Sequence, residues 1–144
     1  EAFAFFRGKR KLQRQLKFLR DVGLDYLPLG QPANTLSGGE SQRLKLAAHH
    51  SAGAKSRSLF LLDEPTTGLH PADIVKLLDC FAALLDQGHS LIVVEHNLDV
   101  IRAADHLIDL GPDAGAAGGK VVATGTPEHV AGVKESLTGR YLRD

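Results

Sequence analysis

No segment of this 144-residue chain fits G-x-x-x-x-G-K-[ST], the loop whose backbone N–H groups and lysine cradle nucleotide phosphates. Gly119-Lys120 comes nearest, but Ala114 stands at the first glycine and Val121 where a magnesium-binding hydroxyl belongs, while Gly8-Lys9 fails at Phe3. Methionine is absent and the chain opens on Glu1, so it reads as a piece of a longer protein, with a phosphate loop expected upstream. Cys80 is the single cysteine, which excludes an intrachain disulfide and a cysteine-rich zinc site; any zinc module is expected outside this chain. No apolar run approaches the roughly 20 residues that span a bilayer. The N-terminus lacks the apolar core of a signal peptide. A cytoplasmic protein with no membrane partner is the expectation, and no internal repeat is visible.

The length suffices for a domain with a core of its own, and the apolar and charged fractions are ordinary for a globular protein. Zero net charge conceals an asymmetry. Residues 1–20 hold seven basic side chains (Arg7, Lys9, Arg10, Lys11, Arg14, Lys17 and Arg20) against Glu1 alone, a net +6, and the remainder carries −6. A basic segment beside an acidic body suits nucleic acid. The plainer alternative is a solvated helix face.

Apolar periodicity predicts an amphipathic helix over residues 10–22, with Leu12, Leu16 and Leu19 on one face and Gly23 as its stop. Residues 23–35, broken by Pro28, Gly30 and Pro32, read as a loop. A second helix begins at Ser37 with Leu44, Ala47 and Ala48 as its inner seam, and frays out over residues 51–54. Residues 58–62 form a strand that is apolar without alternation, the pattern of a sheet covered on both faces. A third helix starts at Pro71, which suits a first turn; it packs through Ile74, Leu77, Leu78, Phe81 and Leu85 and stops at Gly88. Residues 90–94 make a second buried strand, followed by a short helix over 98–103. Strands over 106–110 and 120–124 flank a glycine-rich linker, residues 111–119, which reads as flexible and without chemistry of its own. Thr126-Pro127-Glu128 opens a further short helix, and residues 134–144 read as helical. Alternating strands and helices imply an α/β fold with a mostly parallel, helix-covered sheet.

Two motifs carry chemistry. The run Leu36-Ser37-Gly38-Gly39-Glu40-Ser41-Gln42-Arg43 fits a capping box, in which Ser37 caps the helix and Glu40 reaches back. Capping does not explain two glycines in the first turn, which cost about 1 kcal/mol each relative to alanine. They point to close approach of a ligand, and the free N–H groups and dipole of a helix start favour a phosphate. The second motif, Leu59-Phe60-Leu61-Leu62, ends in Asp63-Glu64. Taken alone it is consistent with a strand turning into solvent. In a functional reading, Asp63 orients a magnesium ion and its water, and Glu64 polarises the water that attacks a terminal phosphate. His96, two residues after the second strand, is alone an ordinary surface histidine; beside a parallel first strand it reaches the same sheet edge and bonds the terminal phosphate.

The run LSGGESQRLKLA, then LFLLDEPTTGLH, LIVVEHNLDVIRAADHLIDLGP and GTPEHV, closely resembles the C-terminal end of the UvrA family, the damage-recognition ATPase subunits of the bacterial excision nuclease. The resemblance covers nearly the whole chain, including FLRDVGLDYLPLGQPANT. Glu40 in place of the usual glutamine, and His70 where transporters usually have aspartate, separate it from transporter cassettes. The resemblance implies a partial P-loop NTPase fold of the ATP-binding-cassette (ABC) type, without its P-loop strand. Residues 1–35 form the helical lead-in and 36–144 the C-terminal cassette part, as one structural unit. It also implies ATP and Mg2+ as cofactors. Ser37, Gly38, Gly39, Glu40 and Gln42 then touch the ATP of an opposite cassette, Asp63 holds magnesium through water, and Glu64 and His96 are catalytic. Implied partners are damaged DNA, a UvrB-like protein, a second cassette in the same chain and a homodimer mate. One departure is the alanine-containing stretch 115–119, which touches no catalytic role. Rival readings are a UvrA-like drug-resistance paralogue, the nucleotide-binding subunit of a transporter, which would want aspartate at position 70, and the ATPase head of a chromosome-maintenance protein. The last requires a long heptad segment before Leu36, and residues 10–22 are too short for it.

Overall fold

The computed structural model describes residues 1–52, 56–111 and 119–143. Residues 53 and 54 of the expected fraying, the body of the glycine-rich linker and Asp144 lie outside the described residues. The chain forms two compact units, Glu1–Glu95 and His96–Asp144.

The first unit begins with helix α1 (Ala2–Phe5) and the basic helix α2 (Arg10–Asp21). Gly23 ends α2 at φ +69°, with its N–H donating to Arg20 O and that of Leu24 to Leu19 O. This is the glycine stop in which the residue past the helix turns left-handed. The position is also tight, because an added Cβ would stand 3.1 Å from Leu69 Cδ2 and 3.2 Å from Asp73 Cβ. After a short 3-10 turn (Ala33–Thr35) comes α3 (Gly38–Ala52). Its inner face differs from the expected seam. Leu44 and Ala48 are exposed, and Arg43, Leu46 and Ala47 point inward. A periodicity count gives an arginine no weight as a core residue, so it places the seam one residue too far along.

Strand β1 (Leu59–Asp63), helix α4 (Pro71–Asp86) and strand β2 (Ser90–Val94) form a β-α-β crossover in which β1 and β2 pair in parallel, from Leu59 opposite Ser90 to Asp63 opposite Val94. Pro71 occupies the first turn of α4, and the His70 side chain caps it by accepting from the Ala72 N–H at 3.2 Å. The helix buries Ile74, Leu77, Cys80, Phe81 and Leu84. Leu84 takes the inner place expected of Leu85, which is exposed. The His89 ring packs edge-on against Phe60, and its Nδ1 accepts from the Ser58 N–H, tying the start of β1 to the turn before β2.

Among the described residues, packing covers one face of this parallel pair. Leu62 is buried, whereas Leu59, Leu61, Ile92 and Val94 remain 54–69% exposed on the opposite face. Strand side chains alternate between faces, so an unbroken apolar run supplies two apolar faces, and only one is covered here.

The second unit holds α5 (Leu98–Arg102), β3 (Leu107–Gly111), β4 (Lys120–Gly125), α6 (Pro127–Gly132) and α7 (Leu137–Arg143). β3 and β4 pair antiparallel, with an irregularity between Asp109 and Leu110. The parallel arrangement therefore belongs to β1 and β2. Asn97 caps α5, accepting from Asp99 and Val100 N–H groups, and Thr126 caps α6 by accepting from the His129 N–H. The Asp109 carboxylate accepts from Ser136 Oγ at 2.6 Å and Thr138 Oγ1 at 2.8 Å, fixing α7 to β3. Gly139 lies so close to α6 that a Cβ there would stand 2.2 Å from the Val130 carbonyl oxygen.

Candidate nucleotide site

The first unit joins the two sequence motifs into one piece. At the start of α3, Ser37 Oγ accepts from the Glu40 N–H at 3.2 Å and the Glu40 carboxylate accepts from the Ser37 N–H at 2.7 Å, the reciprocal capping box read from sequence. The Tyr26 hydroxyl donates to the other Glu40 oxygen. That bond, followed by the Ser37 backbone bond, holds the Glu40 carboxyl below its ordinary value, while partial desolvation and the Glu40 bond push the Tyr26 phenol up.

The two glycines serve different ends. A Cβ on Gly38 would meet nothing within 4 Å, so the backbone there lies open to an incoming group. Gly39 is closed: a Cβ would stand 3.1 Å from Arg43 Nη1 and 3.4 Å from the Thr67 carbonyl oxygen. Part of the glycine requirement is thus internal packing. The first amides of a helix lack intrahelical acceptors, which leaves the Gly38 end suited to an anion.

Asp63 ends β1 and Glu64 follows it at the C-terminal edge of the parallel pair, both exposed. Glu64 has φ +45°, the one left-handed non-glycine residue among those described. A conformation of this kind costs about 1–3 kcal/mol and persists where its surroundings over-determine it. Here they do. The Glu64 N–H donates to Val94 O at 2.8 Å, and its carbonyl accepts from the Thr67 N–H at 3.1 Å. Glu95 accepts from both the Thr66 N–H, at 2.8 Å, and Thr66 Oγ1. From α3, Gln42 Oε1 accepts the Asp63 N–H at 3.0 Å, and Arg43 Nη1 donates to Pro65 O at 2.5 Å and Thr67 O at 3.4 Å.

Ser37, Gly38, Gly39, Glu40, Gln42, Asp63 and Glu64 therefore belong to one assembly. Gln42, expected to face nucleotide, holds the Asp63 backbone through its amide oxygen. His96 is exposed and opens the second unit, where it precedes the Asn97 cap of α5. Sequence reasoning missed Glu95 and Arg43. An acid directly after an apolar strand is a signal for the first; the second shows only as one more base in a polar helix. Asp63 and Glu64 are hard oxygen donors of the kind magnesium takes, one or two carboxylates completed by phosphate oxygens and water. Among the described residues no cluster of three or more histidine, cysteine, aspartate or glutamate side chains could hold a metal ion by itself.

With a helix start open at Gly38, bonded to an acidic pair at a parallel-sheet edge, the chain has the fold of part of an ATP-binding cassette. Solved structures agree: an ATP-binding subunit of an ABC transporter superposes with TM-score 0.60 over 99% of this chain and 59% of its own, and at 23% identity that likeness shows the fold. Within the class the sequence is of UvrA type throughout. It is 55% identical over 143 residues to UvrABC system protein A of Streptococcus pyogenes serotype M3, 57% to that of Aquifex aeolicus and 54% to that of Bacillus subtilis strain 168, each match covering 99% of this chain. UvrA2 of Deinococcus radiodurans superposes with TM-score 0.86 at 49% identity, covering 99% of this chain and 17% of that one. No family profile matches the chain. The chain spans about 15% of the length of the curated relatives it matches.

Proposed function

We propose that this chain is the C-terminal cassette part, with its lead-in over residues 1–35 and its body over 36–144, of a longer protein that binds damaged DNA in nucleotide excision repair and hydrolyses ATP. The observation that carries the reading is the direct bonding of α3 to the Asp63–Thr67 backbone by Gln42 and Arg43. A helix built to meet a phosphate thereby sits in one rigid piece with the residues that act on water.

In this reading Asp63 holds magnesium through water, and Glu64 accepts the proton of the water that attacks the terminal phosphate. Magnesium bound there neutralises developing charge on the phosphates. His96 bonds the terminal phosphate. Ser37, Gly38 and Gly39 face the ATP of an opposite cassette, with Glu40 fixing the helix start and Gln42 the backbone behind it. The phosphate-cradling loop comes from elsewhere in the longer protein, as does any zinc module. Damaged DNA, a UvrB-like protein, a second cassette and a homodimer mate are the proposed partners. The proposed place is the cytoplasm, where bacterial DNA lies; among the described residues no helix is long and apolar enough to cross a membrane.

The test is Glu64→Gln in the full-length protein. The amide keeps the shape of the side chain but cannot take a proton. Turnover is expected to fall about 10²- to 10⁴-fold, the usual contribution of a general base, with ATP binding largely intact. Equal loss of binding and turnover would make Glu64 structural.

A further inference from the structure

Arg43 is 1% exposed, a degree of burial rare for arginine. Among the described residues its Nε has no hydrogen-bond partner, and no carboxylate lies within ion-pair distance of it. A buried cation is costly unless it is hydrogen-bonded and charge-balanced, and the groups that interact electrostatically with Arg43 are the Glu40 carboxylate, at the start of α3, and the Tyr26 hydroxyl bonded to it. Arg43 spends its Nη1 on two backbone carbonyls, Pro65 O and Thr67 O, on the turn directly after Glu64. That turn also contains the left-handed φ of Glu64. Glu95 grips it from the other side through Thr66, so the turn is held between a carboxylate and a guanidinium. Gly39 lies against the same Arg43 nitrogen and the Thr67 carbonyl, so a shift at the start of α3 presses directly on the clamp.

We propose that Arg43 is a positioning residue that couples the start of α3 to the turn carrying Glu64, keeping that carboxylate aimed only while the helix start is in place. The proposal rests on the reading of Glu64 as the base. An arginine serving only as filler would be replaceable by an apolar side chain of similar length with no change in turnover or in the turn. A positioning arginine would not.

The experiment compares Arg43→Met and Arg43→Lys in the full-length protein by melting, steady-state ATPase kinetics and backbone hydrogen exchange over residues 64–69. Arg43→Met is expected to keep its melting temperature and to hold the KM for ATP within about 2-fold. Its kcat should drop about 10- to 100-fold, and exchange over 64–69 should be faster. A lysine ammonium keeps the charge but not the planar fork. Arg43→Lys should therefore lie between, with kcat down about 3- to 10-fold at unchanged KM and intermediate exchange. Wild-type kcat and exchange in a folded Arg43→Met overturn the proposal. If Arg43→Met does not fold, Arg43→Lys decides alone, and wild-type kcat and exchange in that variant overturn it. Exchange also separates this proposal from the one beneath it. Should Glu64→Gln leave turnover intact, the assignment of Glu64 fails, while faster exchange over 64–69 in the Arg43 variants still upholds the clamp and unchanged exchange still defeats it.

Discussion

Glu40 and Cys80 show opposite uses of a titratable side chain. The Glu40 carboxylate accepts from the Tyr26 hydroxyl and the Ser37 N–H, and both bonds favour its charged form. Its folded value lies below the ordinary 4.5, so what it adds to stability is fully present above pH 4.5 and is lost as pH falls through the lower folded value. Thermal melts of the wild type and Glu40→Gln should differ at neutral pH and converge in acid below pH 4.5. A gap that stays constant into acid would show that the capping carboxylate contributes nothing through its charge. Cys80 sits inside the α4 packing face, where burial pushes its thiol up to about 11. The thiolate is the reactive form, so Cys80 should resist alkylation by iodoacetamide in the folded chain and react fully in denaturant. Fast labelling of the native chain would mean that α4 opens readily.

At the scale of elements, α2 is the informative helix. Leu16 and Leu19 are half-buried and Leu12 is exposed, so the helix lies on the surface without a fully buried residue. Its basic side chains are exposed, but several are engaged locally: Lys17 pairs with Asp21 at 2.6 Å, and Arg14 and Arg20 stand over the Phe18 and Phe3 rings. The basic side chains expected to meet DNA phosphates are Lys9, Arg10, Lys11, Arg14 and Lys17, and of these Lys9, Arg10 and Lys11 have no ion-pair partner among the described residues. Each phosphate contact contributes about 0.9 to the slope of log affinity against log salt. Replacing all three with glutamine in the full-length protein should flatten that slope by up to about 2.7. An unchanged slope would return α2 to a solvated face.

For the whole molecule, the sequence carries the acidic pair Asp63-Glu64 and no G-x-x-x-x-G-K-[ST] loop. Calorimetry of the 144-residue chain with Mg-ATP is expected to show no micromolar site and no turnover. Micromolar binding at one site per chain would show that the α3 start and the acidic pair suffice to hold nucleotide. The bare face of Leu59, Leu61, Ile92 and Val94 belongs to this scale too, because apolar strands of a parallel sheet are normally covered on both sides.

Much of this was legible in the residues themselves. Local signals act through neighbours in the chain, so the capping box at Ser37 and Glu40, the proline start of α4 and the glycine stops at Gly23 and Gly88 are sequence properties and stand where they were read. The Asp63-Glu64 pair at a strand end is another, since an apolar run must end where the chain meets water. What tertiary structure decided are the relations between segments distant in the chain. Pairing made β3 and β4 antiparallel, and packing turned Arg43 inward against Pro65 and Thr67, 22 and 24 residues away. It also set Glu95 on Thr66, 29 residues distant, and Gln42 on the Asp63 backbone. Helical periodicity ranks side chains by their affinity for water, and by that measure an arginine faces out. Only folding supplies two backbone carbonyls whose hydrogen bonds outweigh the lost hydration, and they hold Arg43 inside.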